Sequence, residues 1–277
     1  METAQELSFD EMGAILDSID IPACPAVLTQ VMTEAQRDDP DIKVLSRIIS
    51  SDVGMSAYAI KLANSALFRG SGPVSSVAQA VSRLGIRNIL CTVVAVSLRN
   101  NVIPGIPADV LERFWDLAGA QALAASLIAR KVRGVAPDVA YTYALFHHAA
   151  IPILMRRFPD YSKQMEGISE DARVDQEERL YSCNHAVVGA LLARNWGLSP
   201  VIINCNRHHH DGSRYAAKKS CLTGEEQALV AIVHIAESAV EREGAVNWEP
   251  AKEAIAYLGL DDDDLADIVE ALSCCRN

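Results

Sequence analysis

The sequence predicts an all-α protein, and two observations support this. Half of its 277 residues are apolar but only 5% are aromatic, and the apolar residues recur three or four positions apart, which places them on one face of an α-helix. No stretch shows the alternation of apolar and polar residues that is typical of a β-strand. A chain of this length can bury a substantial core, as one large domain or two small ones.

The first half is predicted to be a series of short helices, each with an apolar face and a recognisable N-terminal cap or glycine stop. In order, these are an acidic amphipathic helix over residues 1–20, a helix capped by Asp41, a helix capped by Asp52, a helix from Ser75 or Ser76 to Gly85, and a helix over 89–98.

An Asn-, Pro- and Gly-containing connector over residues 100–107 marks the predicted boundary between two helical subdomains. Beyond it, the predicted elements are helices over 110–130 and 139–157, a polar loop over 158–175, helices over 177–196, 200–208 and 224–241, and a last helix capped by Asp261. We therefore expect a main domain over 21–240, divided into 21–100 and 107–240, and a C-terminal helical extension over 241–277.

Charge and composition exclude several functions. The net charge of −11 argues against binding to nucleic acid, which needs clustered Lys and Arg. The N-terminus lacks a basic region and an apolar core, so no secretion signal is expected. The most apolar stretch, 89–98, is shorter than the ~20 residues that span a bilayer, so no membrane insertion is expected. Seven irregularly spaced cysteines favour reduced thiols in a cytoplasmic protein over a disulfide framework.

The histidines are the most informative residues. All seven follow residue 146, as the pair His147–His148, then His185, the run 208–210, and His234. Such a cluster suggests a metallohydrolase, since imidazole is a common ligand of transition metals. In the first half, Asn64 lies at a helix end before two small residues. We expect its side chain either to bond backbone groups and fix how two helices meet, or to be a plain turn asparagine.

Short motifs in a fixed order connect the chain to a known family. They are Ile21-Pro22-Ala23-Cys24-Pro25, Ile48-Ile49-Ser50-Ser51-Asp52, Lys61-Leu62-Ala63-Asn64-Ser65-Ala66, Val77-Ala78-Gln79-Ala80-Val81, Leu84-Gly85, Phe114-Trp115, Ala144-Leu145-Phe146-His147, His185 to Ala190, Trp196-Gly197-Leu198 and His209-His210. Together they resemble the HDOD family, the HD-related output domain of bacterial signalling proteins. The resemblance implies an N-terminal helical subdomain packed on a degenerate HD-type helical bundle. It also implies a regulatory role without catalysis.

The resemblance extends to the HD phosphohydrolases, whose bundle holds divalent metals through several His and two Asp residues. Their adjacent His-Asp pair is replaced here by His147-His148, and a neutral imidazole neither adds negative charge nor bridges two metals well. No histidine occurs near residues 117–119, where that superfamily has its first ligand. A vestigial site would therefore consist of His147, His185, His209, His210 and Glu237. We expect no cofactor there, or at most a single divalent metal.

Three hypotheses follow for function. The first is a non-catalytic bacterial signal-transduction regulator that acts on a regulatory protein partner. The second is a metal-dependent phosphohydrolase of nucleotides or cyclic dinucleotides, and the third is a sensor that binds a small nucleotide without turnover. The predicted ligand or partner surface is a groove near Asn64, Trp115, His147 and His148. Adjacent residues of a helix point about 100° apart, so His147 and His148 are not both expected to face one site.

Overall fold

Every regular element in the computed structural model is helical, which confirms the all-α prediction for residues 19–65, 68, 70, 72–100, 105–211, 215, 220–240 and 246–276, the residues that the structure describes. Apart from its last two residues, the helix predicted over 1–20 lies outside these ranges. In chain order the helices are α1 (Ala26–Ala35), α2 (Ile42–Ser50), α3 (Val53–Ala63), α4 (Val77–Asn100), α5 (Ala108–Ala129), α6 (Pro137–Phe146), α7 (Ile151–Arg157), α8 (Tyr161–Gln164), α9 (Glu170–Tyr181), α10 (His185–Asn195), α11 (Pro200–His208), α12 (Gly224–Val240), a 3₁₀ turn (Glu249–Ala251), α13 (Lys252–Leu258) and α14 (Asp262–Arg276).

The predicted caps of three helices are confirmed. The Asp41 carboxylate accepts from the Lys43 N–H at 2.7 Å, and Asp52 accepts from the Met55 N–H at 2.8 Å. Asp261 accepts from the Asp264 N–H at 2.9 Å. Each of these bonds satisfies a backbone donor in the first turn that has no partner within its own helix.

Gly85 divides α4 into two helical segments. Its backbone has φ 74° and ψ 166°, a conformation open almost only to glycine, so the first segment ends where the sequence predicted. The second segment then continues at a new angle. Its Cys91 Sγ lies 3.4 Å from the carbonyl oxygen of Asp138 in α6, so α4 links the N-terminal helices to the bundle that follows.

Asn64 fixes the chain between α3 and α4, which is the first of the two roles that the sequence left open. Its side-chain amide donates to the carbonyl oxygen of Val74 at 2.8 Å and its side-chain oxygen accepts from the N–H of Val74 at 2.7 Å. This pair mimics one rung of a β-ladder and satisfies both backbone groups of a residue whose side chain is buried.

Three predicted boundaries were wrong. The helix predicted over 139–157 ends at Phe146 and restarts as α7, because Pro152 cannot donate to the carbonyl of residue 148 and its ring would clash with that group. The loop predicted over 158–175 contains α8 and the start of α9. The helix predicted over 177–196 is broken by Ser182, which is left-handed with φ 55°, before Asn184 caps α10.

The core of the bundle is α5, which packs mainly against α6 and α12. The C-terminal helix α14 also lies on α5, where Lys131 Nζ contacts Asp264 and Asp267 at 2.9 and 2.8 Å. At the other end of the chain, the carbonyl of Pro22 accepts from the indole N–H of Trp196 at 2.9 Å. Both ends of the described chain are therefore attached to the bundle.

One helix, Val77–Arg99, has the length and hydropathy of a membrane span. In this structure Gly85 breaks the helix, and 56% of the residues in its most apolar 18-residue stretch are buried among the described residues. These features are typical of the core helix of a packed bundle.

Candidate metal centre

Three breaks between helices bring histidines together inside the bundle. The turn after α6 contributes two, the first residue of α10 contributes one, and the turn after α11 contributes two; these are His147, His148, His185, His209 and His210. His147, His185 and His209 are only 1%, 0% and 2% exposed. Imidazole rings buried this deeply need partners for their polar nitrogens.

Glu177 holds His185 in one orientation. Its carboxylate accepts from the His185 backbone N–H at 2.8 Å and lies 2.8 and 3.0 Å from His185 Nδ1. The Tyr161 hydroxyl also donates to Glu177, and burial raises the pKa of Tyr161 above its usual range. Because the carboxylate can only accept, Nδ1 of His185 carries a proton and Nε2 presents a lone pair.

His147 is paired with Glu237. Its Nδ1 lies 2.6 Å from the Ala144 carbonyl oxygen and its Nε2 lies 3.0 Å from Glu237 Oε1. Burial of Glu237 disfavours its charged form, but the hydrogen bond and charge of His147 outweigh this and lower the pKa of Glu237. Both ring nitrogens of His147 thus face oxygen acceptors, so the contact is a charge-assisted hydrogen bond.

The remaining histidines converge on His185. One nitrogen from each of His148, His185, His209 and His210 lies within 4.8 Å of the others, and His185 Nε2 is 3.0 Å from His210 Nε2. Burial, together with the neighbouring histidines, lowers the pKa values of His148 and His209 well below 6.5. These two rings are therefore neutral at pH 7, which is the form that binds metals.

The expectation that His147 and His148 would not share a site was wrong. Their ring centroids are 3.9 Å apart, and both rings lie within about 6 Å of the His209 ring. The prediction assumed a continuous helix, whereas α6 ends at Phe146 and the two histidines occupy the turn that follows. From this turn both side chains reach the same cluster.

The predicted ligand surface is divided between two places. His147 and His148 belong to the histidine cluster, whereas Trp115 lines a separate cavity of about 650 Å³. That cavity is also lined by Leu62 and by Ser65, the residue that follows Asn64. The side-chain amide of Asn64 is hydrogen-bonded to the backbone of Val74.

Sequence reasoning did not identify Glu177 or Glu170 as parts of the site. Glu170 Oε2 lies 3.5 Å from His148 Nε2, and Glu177 is completely buried against His185. Glu177 precedes His185 by eight residues, a spacing at which two side chains of one continuous helix are too far apart to contact each other. The left-handed turn at Ser182 folds α10 back onto α9. No signal in the sequence marked Glu177, because its burial is visible only in the structure.

The geometry defines a class: an all-α helical bundle with histidines from several helix ends at its centre. A comparison with protein families narrows this class. The model of the HDOD domain matches residues 21–212, and the chain belongs to the HDOD family.

Similar proteins agree on the fold. A crystal structure from Shewanella amazonensis SB2B, provisionally named a phosphohydrolase, is 21% identical with a TM-score of 0.71 and covers 95% of this chain and 93% of its own. Another crystal structure, from Marinobacter aquaeolei VT8 and provisionally named a signal transduction protein, is 19% identical with a TM-score of 0.65. The match covers 95% of this chain and 60% of the Marinobacter chain. An uncharacterized protein of Treponema pallidum (strain Nichols) is 26% identical over 208 residues, which are 72% of this chain. The match spans 39% of that relative's length.

Proposed function

We propose that this chain is a non-catalytic regulator of bacterial signal transduction, which acts in the cytoplasm by contact between its HDOD domain and a regulatory protein partner. Membership of the HDOD family supports this role, as does the name of the Marinobacter protein with the same fold. The observation that carries the proposal is the hydrogen bond between Glu237 and His147. Glu237 is the acid of the predicted ligand set, and this bond engages its carboxylate.

Metal-assisted hydrolysis needs an activated water at an open coordination position and space for a substrate beside it. In the cluster, His147, His185 and His209 are at most 2% exposed, and His148 and Glu237 are each only 14% exposed. The cavity of about 650 Å³ lies at Trp115, apart from the histidines. A buried set of imidazoles supports a structural or signalling role better than turnover.

A turnover assay tests the proposal against the phosphohydrolase alternative. The full chain is supplied in turn with Zn²⁺, Mn²⁺, Fe²⁺ and Mg²⁺ and assayed on phosphomonoesters, a phosphodiester, nucleotides and cyclic dinucleotides. We expect the same background rate for the wild type and for His185→Ala. Metal-dependent turnover in the wild type that His185→Ala abolishes, with the variant still folded by circular dichroism, would contradict the proposal.

The cavity at Trp115 favours a second candidate function, ligand sensing without turnover. It lies between α3, the end of α4, α5 and the C-terminal part of the chain. Its lining combines the cations Lys61 and Arg99 and the carboxylate of Asp116 with several apolar side chains. Trp115 is 6% exposed, and within the described part of the chain its indole N–H has no hydrogen-bond partner. A buried donor without a partner carries an energetic cost that a ligand acceptor would remove.

Calorimetry with a panel of nucleotides tests this second function. We expect binding that Lys61→Ala weakens, because the lysine is the cavity cation that has no carboxylate partner within ion-pair distance in the described part of the chain. Arg99→Ala is less informative, since Arg99 already pairs with Asp116 at 2.6 Å. Heat changes that are absent for the whole panel would remove the nucleotide-sensor hypothesis.

A further inference from the structure

We propose that His148, His185, His209 and His210 bind one divalent transition-metal ion of the zinc class through four imidazole nitrogens. This set differs from the one that the sequence predicted: it contains His148 in place of His147, and no carboxylate. It also differs from a His-Asp metal site, because His148 is itself the replacement for the acid.

The first support is the short distance between two ring nitrogens. His185 Nδ1 donates to Glu177, so the Nε2 atom of His185 presents a lone pair. That atom lies 3.0 Å from Nε2 of His210. Two nitrogens at this distance need either a proton or a cation between them. Glu177 thereby reproduces the carboxylate–histidine arrangement that orients imidazole ligands in metal sites.

His209 supplies an independent second support. Its Nδ1 lies 2.7 Å from the carbonyl oxygen of Asn206, a group that can only accept, so Nδ1 carries the proton. Its Nε2 is buried and has no hydrogen-bond partner among the residues that the structure describes. His209 also offers a nitrogen within 4.8 Å of three other histidine nitrogens. A buried lone pair without a donor in such a cluster is the arrangement expected of a metal ligand rather than of a core residue.

His147 is excluded from the set by its own contacts. Both of its ring nitrogens are used, one toward the carbonyl of Ala144 and one toward Glu237. It packs against the cluster, with its ring centroid 3.9 Å from that of His148. We therefore assign His147 and Glu237 to the wall that holds His148 in position.

The chemistry of the four remaining ligands indicates the metal. Imidazole suits Zn²⁺, Cu²⁺, Fe²⁺ and Ni²⁺, whereas Mg²⁺ and Ca²⁺ require oxygen ligands. Tetrahedral zinc with Zn–N bonds of ~2.0–2.1 Å sets its ligand nitrogens ~3.3–3.4 Å apart, between the 3.0 Å of the His185–His210 pair and the 4.8 Å limit of the group. Four imidazoles complete a tetrahedral shell and leave no position for water. This metal site does not depend on the proposed regulatory role, since metal binding is measured separately from signalling and turnover.

The experiment is titration of tag-free, chelator-treated full chain with Zn²⁺ alone by calorimetry, and with Co²⁺ by visible absorption. We expect one ion per chain, the intense bands of tetrahedral cobalt, and a melting temperature that rises with zinc. His210→Ala removes a ligand and should weaken binding at least 100-fold. Glu177→Gln leaves all four ligands and should weaken binding about 10–100-fold, the usual effect of losing such an orienting partner.

His208→Ala is the matched control, because His208 is adjacent in sequence but lies in another group with Asp211 and Cys221. It should bind zinc as the wild type does. Should His210→Ala fail to fold, His210→Gln keeps the side-chain volume and tests the same ligand. No zinc binding, unchanged affinity in the folded His210 variant, zinc lost in His208→Ala instead, or the weak bands of octahedral cobalt would each overturn the proposal.

Discussion

At the scale of single residues, hydrogen bonds to the outer nitrogen of each ring determine what the histidines can do. A carboxylate fixes His185 and a backbone carbonyl fixes His209, so in both rings Nε2 is the nitrogen that keeps a lone pair. Both ring nitrogens of His147 are hydrogen-bonded to oxygen atoms. Residues of the same type, a few ångströms apart, thus have different chemistry because their surroundings assign the proton differently.

Asn64 provides a test at this scale. Asn64→Ala removes both bonds to Val74 and leaves a buried N–H and C=O without partners, which costs roughly 1–3 kcal/mol for each unsatisfied group. We expect a clear decrease in the free energy of unfolding, measured by urea denaturation. Asn64→Asp keeps the acceptor for the Val74 N–H but places a carboxylate oxygen against the Val74 carbonyl, so it should also lose stability. Wild-type stability of Asn64→Ala would refute the structural role.

The sequence offered the role of Asn64 as one of two alternatives, because the relevant contacts are local, ten residues along the chain. It predicted that the histidines would be important, since their types and order are visible. It could not predict that Glu177 orients His185, because that contact depends on the left-handed turn at Ser182. Nor could it separate His147 from His148, whose different partners come from distant helices.

At the scale of elements, the places where helices stop create the site. All five clustered histidines lie at helix ends, in the turn after α6, at the start of α10 and in the turn after α11. Gly189 in α10 allows α11 to come close, since a Cβ there would lie 3.0 Å from Asn206 Oδ1. Periodicity predicts that a helix exists, but a break at a proline or a left-handed residue is easily hidden within a continuous apolar pattern.

A pair of glycine substitutions tests the break in α4. Gly85→Ala forces a side chain into a backbone conformation with φ 74°, and we expect a loss of about 1–3 kcal/mol. Gly119→Ala lies within the regular helix α5 and also meets no atom within 4 Å, so it should be neutral or stabilise by up to about 1 kcal/mol. Thermal and urea denaturation compare the two. Equal effects would mean that Gly85 is not strained.

At the scale of the whole molecule, both ends of the described chain are attached to the bundle that surrounds the histidines. The N-terminal segment is held by Trp196, which is 2% exposed and donates to Pro22, and α14 is held by Lys131. The bundle also separates two features, the buried cluster and the Trp115 cavity. The cavity lies where the N-terminal helices meet the bundle, so an occupant would contact both parts.

Trp196→Phe tests the attachment of the N-terminal segment. The variant loses the hydrogen bond to Pro22 and part of a buried ring, and we expect a loss of roughly 1–3 kcal/mol together with faster proteolysis near residues 19–25. Trp248→Phe makes the same chemical change at a half-buried indole that bonds to no described residue. Its cleavage rate should stay at that of the wild type. Equal cleavage of all three proteins would contradict the attachment.

The most direct test of the account is X-ray absorption at the zinc edge of the stoichiometric zinc–protein complex. The central claim is that the cluster is closed, with four imidazoles and no position for water. We predict four nitrogen neighbours at ~2.0–2.1 Å and the outer-shell scattering of four histidine rings, reduced to three in His210→Ala. Three or fewer rings with an oxygen neighbour in the wild type would reveal an open coordination position. That result would contradict the claim and favour a hydrolytic site.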